Sequence, residues 1–154
     1  MPATYTLKEE IEGAIARALA ANGDVLAVTS TVTTLGAWVA GVERDEAYPP
    51  AVVVEADAFV NDGGPVGWPL YIGSVHLRAV TNRADDVGGS VCDELAQAVL
   101  ASVNAATWAA TVNTELANTA ITYHGATCDT LGADALDDDS WNETGWTLSV
   151  RCAQ

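Results

Sequence analysis

Gly145-Trp146-Thr147-Leu148-Ser149-Val150-Arg151-Cys152 puts Trp146, Leu148, Val150 and Cys152 on one side of an extended chain and Thr147, Ser149 and Arg151 on the other. An extended chain turns successive side chains to opposite faces, so this alternation predicts a strand with one face in a core. The same period recurs upstream. Leu70 to Thr81 sets Tyr71, Val75, Leu77 and Ala79 against His76 and Arg78. Ala51 to Val60 sets Val52, Val54, Ala56 and Ala58 against Glu55 and Asp57. Pro49-Pro50 forces an extended approach to that strand. Asn61-Asp62-Gly63-Gly64-Pro65 is a turn signal, which makes the two segments an antiparallel pair joined by a longish loop. Thr119 to Cys128 reads as a further strand through Ile121 and Tyr123. Val25 to Val42 is β-branched with a turn near Leu35-Gly36, Val28, Ser30 and Val32 alternating with Thr29, Thr31 and Thr33.

Two segments carry the helical period instead. From Thr6 to Asn22, Leu7, Ile11, Ala14, Ile15, Ala18 and Leu19 recur on one face. Thr6 and Glu9 have the spacing of a capping box, and Asn22-Gly23 provides a stop. Asp85-Asp86 opens a second helix, with negative charge at its positive end. Val87, Val91, Cys92, Leu95, Ala98, Val99 and Val103 form its apolar stripe, and it ends near Asn104. Ala105 to Asn118 is ambiguous, with Trp108 and Leu116 as its only large anchors. The order helix, strands, helix, strands predicts an α+β fold: a mostly antiparallel sheet with two main helices packed on one face. A chain of 154 residues without internal repeat or linker is expected to form a single domain, 1–154.

The formal net charge is −15, from 21 acidic and 6 basic residues. Such a chain is repelled by phosphate backbones and anionic lipid surfaces. No run approaches the roughly 18 apolar residues of a membrane helix, so no membrane association is expected. Met1 to Lys8 lacks the pattern of a signal peptide, and synthesis in a cytosol is the expectation. Cys92, Cys128 and Cys152 are odd in number and lack metal-ligand spacing.

Little in the sequence points to catalysis. His76 and His124 both fall in predicted strands, and a nucleophile–histidine pair needs an orienting group and an oxyanion site as well. The run Asp134, Asp137, Asp138, Asp139 is interrupted by Leu136, and Gly132 precedes it, so it is not an EF-hand loop. Gly63-Gly64 and Gly88-Gly89 lack the residues of a phosphate loop. No metal, cofactor or catalytic residue is expected. Trp38, Trp68 and Trp141 lie in or beside predicted loops, where aromatic anchors of interfaces commonly sit.

The layout resembles that of the tail terminator and tail-completion proteins of long-tailed bacteriophages. It is carried by the opening helix Leu7 to Ala21, Tyr48-Pro49-Pro50 leading into Val52-Val53-Val54, the strand Val75 to Thr81, Asp85-Asp86-Val87 and the closing Gly145 to Val150. The insert Ala105 to Asn118 departs from it. The resemblance implies a virion protein made in the host cytoplasm, a hexameric ring that caps the tail tube and docks to the head connector. Its partners would be copies of itself, the tail-tube protein and the connector, with DNA passing through unbound. Exposed edge strands would be used up by neighbours. Glu43, Asp45 and Glu46, with Asp134, Asp137, Asp138 and Asp139, are the loops expected to face the DNA channel. A neck or connector adaptor fits the same features. An acidic DNA mimic needs carboxylates regularly spaced on one face, whereas here they scatter; an enzyme ranks last.

Overall fold

In the computed structural model, residues 4–29, 31–38, 49–63, 69–117, 120–130 and 141–154 are described. The strand containing Gly145 to Cys152 is one of two 13-residue strands at the centre of the sheet. It is β6, Trp141–Ala153, and it lies between β4 (Leu70–Asn82) and β5 (Thr122–Thr130). Beyond β4 come β2 (Ala51–Ala56) and then β1 (Thr31–Thr34), while the two-residue β3 (Val60–Asn61) pairs back on β4. The order is β1-β2-β4-β6-β5. Among the described strands only β1 and β2 run parallel; the other pairings are antiparallel, as in Val75 opposite Leu148 and Leu77 opposite Trp146. The class is α+β, with a mixed sheet.

Helices α1 (Thr4–Ala20), α3 (Ser90–Val103) and α4 (Trp108–Glu115) cover one face. Leu7, Ile11, Ile15 and Leu19 of α1 and Cys92, Leu95 and Val99 of α3 pack on Val52, Val54, Tyr71, Val75, Leu77, Leu148 and Val150, all buried. The stripe expected on α1 is the one used, and on α3 Cys92, Leu95 and Val99 of the expected stripe are buried. The third helix, α4, occupies the stretch that sequence left ambiguous. It is tied down by polar groups: the Trp108 indole donates to the Tyr123 hydroxyl at 2.9 Å, and Asn113 exchanges two hydrogen bonds with the Tyr123 backbone. No single described helix is long and apolar enough to cross a membrane.

Five expectations are corrected. Val25 begins no strand, because the Asn22 side chain accepts from the amides of Asp24 and Val25 and starts a short helix, α2 (Gly23–Leu26). A helical stretch at 35–38 likewise replaces the expected turn. The first helix begins at Thr4, so Thr6 lies in its first turn and not at its cap. The strand from Ala51 stops at Ala56, where the Glu12 carboxylate of α1 takes the Ala56 amide at 2.8 Å, and Ala58 is exposed. Finally, α3 begins at Ser90, after a left-handed Gly89 that has no side-chain cap. Val87 stands outside the helix and is 84% exposed.

Asp86 still serves that helix, from four residues upstream. Its carboxylate accepts from the Val91 and Cys92 amides at 3.1 and 3.0 Å and from the Thr81 hydroxyl at 2.7 Å. Burial works against its charge, but the bonds from Thr81, Cys92, Val91 and Asn142 outweigh it and hold the carboxyl below its ordinary range.

Candidate functional site

The face of the sheet away from the helices changes character along its length. At one end Ala51, Val53 and Val80 point outward and are fully buried beneath Trp38, with Leu35 and Trp141 beside them. The Trp38 and Trp141 rings meet edge to face, centroids 5.9 Å apart. Trp38 is only 4% exposed within one chain, so its ring closes a satellite core and is not offered to a neighbour. Trp141 is partly buried and starts β6, where a loop was expected. Trp68, the third expected anchor, lies outside the described residues. So do Glu43, Asp45, Glu46, Asp134, Asp137, Asp138 and Asp139.

Next along the face is an ion cluster. Register places Arg78 opposite Val53 on β2 and Gly145 on β6. Its Nη1 donates to Glu55 Oε2 at 2.7 Å. Its Nε stands 3.0 Å from Glu143 Oε1, in ion-pair contact but not aligned as a hydrogen bond. Arg78 and Glu143 are almost wholly buried. A side chain on Gly145 would collide with the Leu77 carbonyl, its Cβ falling 1.9 Å from that oxygen. The glycine lets the two strands close beside the arginine.

Further on, His76 bridges two oxygens. Its Nε2 donates to Asp57 Oδ2 and its Nδ1 meets Thr147 Oγ1, each at 3.0 Å. Sequence reasoning paired His76 with no orienting carboxylate; Asp57 lies 19 positions away, just past the end of β2. Carboxylate, imidazole and hydroxyl stand in the order that activates a nucleophile. An acyl-transfer site also needs free donors for an oxyanion. Thr147 sits mid-strand between β4 and β5, where the backbone amides belong to the ladders. The geometry anchors the chain after β2 to the sheet face.

The last part of the face is open. Ile72, His124, Gly125, Ala126, Thr127, Ser149 and Arg151 line a shallow concavity of about 430 Å³. His124 and Arg151 also border a second hollow with Asp62 and Leu70. His124 is the extra residue of a bulge in β5, beside a left-handed Gly125. Burial pushes the Cys92 thiol up to about 11 and the Cys152 thiol up to about 12, so neither is a nucleophile at neutral pH. Among the described residues no three His, Cys, Asp or Glu side chains gather as metal ligands.

No protein-family model matches the chain, and no curated protein is similar to it.

Proposed function

We propose that the chain is a structural virion protein of a long-tailed bacteriophage, a tail terminator whose hexameric ring caps the tail tube and joins it to the head connector. The charge carries this reading. The net charge is −15, and two of the few cations, Arg17 and Arg78, are spent on Glu115, Glu55 and Glu143 within the chain. The outward field is correspondingly negative. Six copies would carry roughly −90 in all, six times the −15 of one chain, and at close range such a lumen repels phosphate that must slide through it. The pattern-level resemblance of the sequence to tail terminators supports the same reading.

A terminator limits tail length, so a phage lacking the gene should assemble headless tails with overlong tubes, and purified chain added to them should restore joining. Tails of normal length joined to heads in its absence would contradict the proposal. Lysine in place of Glu43, Asp45 and Glu46 should slow DNA release while assembly proceeds; unchanged ejection kinetics would remove those residues from the channel.

A further inference from the structure

β5 is a nine-residue strand at the edge of the sheet. An edge strand presents unpaired N–H and C=O groups and pairs with another chain unless something blocks it. The start of β5 is blocked. The Asn113 amide occupies both backbone groups of Tyr123 at 2.8 and 2.9 Å, and the bulge at His124 follows. From Ala126 to Thr130 no such block is present among the described residues, and Ala126, Thr127, Asp129 and Thr130 are exposed. Alternation fixes which groups are open. Tyr123 turns its N–H and C=O away from β6, and the bulge inserts one residue. Beyond it, the outward groups are those of Ala126, Cys128 and Thr130.

We propose that this edge pairs antiparallel with β5 of a second copy of the chain, about a two-fold axis through Thr127. Charge selects the occupant. Arg151 is exposed, lies opposite Gly125 on β6, and has no carboxylate partner among the described residues. Pairing about Thr127 sets Asp129 of the second copy opposite Gly125, on the face that carries Arg151. Gly125 has no side chain to stand between them. Two strand spacings, roughly 10 Å, then separate the α-carbons of Arg151 and Asp129. An extended arginine and an aspartate side chain close that gap. Symmetry makes the contact twice. Ala126 and Cys128 exchange backbone hydrogen bonds across the axis, and Thr127 meets itself in a favoured cross-strand pair. The proposal concerns the free chain and stands apart from the tail-protein reading: a head-to-tail ring must use other surfaces or displace this pairing.

Analytical ultracentrifugation of the full chain tests it. A concentration-dependent dimer is expected, weakened about tenfold by Arg151→Glu or by Asp129→Lys, since each reversal touches both symmetric contacts. The double reversal should restore the dimer. Thr127→Cys should oxidise to a disulfide-linked dimer, because facing α-carbons at a non-hydrogen-bonded pair stand roughly 4.5 Å apart; Thr114→Cys, exposed on α4, should not. All four sites are at the surface, and circular dichroism checks that each variant folds. A monomer at every concentration, an open filament, unaffected single variants, or a double variant no better than the singles would overturn the proposal.

Discussion

Trp38 is buried by its own chain. Its place beside a predicted loop marked it as an anchor for a partner, yet it covers Ala51, Val53 and Val80 within a single chain. Trp38→Ala should therefore destabilise the isolated protein by about 3–5 kcal/mol in urea unfolding, as deletion of a buried aromatic does. A near-zero change would return it to the role of interface anchor. Arg78 is one guanidinium between two carboxylates, and Arg78→Ala leaves Glu143 buried without it. A loss of roughly 3–5 kcal/mol is expected by the same measurement. Asp86 makes a prediction in pH. Its folded carboxyl titrates below the ordinary 3.8, so its stabilisation is fully present above that value and drains away as pH falls through the folded-state value. The melting temperature of the wild type should exceed that of Asp86→Asn by a constant margin at neutral pH, and the margin should shrink in acid below about pH 4. A margin unchanged in strong acid would contradict the network drawn around Asp86.

At the scale of elements, period-two and helical alternation named the long strands and α1 and α3 because each buries one face against the other. Where a side chain caps the backbone, alternation misled. Asn22 converts the start of a β-branched run into α2, and Asp86 caps α3 from a distance at which sequence reads Val87 as core. The second buried face of β2 was equally hidden, since alternation reports the half it exposes and here Ala51 and Val53 are covered as well. The ambiguous stretch formed α4 because Asn113 and Trp108 find their partners on β5, a pairing that exists only after folding. The Asp57–His76–Thr147 bridge was illegible for the same reason: register brings His76 and Thr147 together across 71 positions. Gly145 tests the β4–β6 register directly. Gly145→Ala must push the strands apart beside Arg78, and a cost of at least 1–3 kcal/mol is expected in thermal or urea unfolding. Full stability in that variant would mean that the two strands do not approach as described.

For the whole molecule, fold and charge carry different parts of the account. The sheet and its helices explain why the chain folds, with one continuous core from Leu7 to Cys152 and a satellite under Trp38. They do not by themselves say what it does, because the same layers serve many functions. The function proposed rests on the −15 charge, on the internal neutralisation of Arg17 and Arg78, and on a pattern-level resemblance. The most direct test is cryo-electron microscopy of the virions that carry the chain. The account predicts a six-fold ring of this α+β subunit at the junction of tail tube and connector, with carboxylates lining its bore. Virions in which that junction is built entirely from other chains would contradict it.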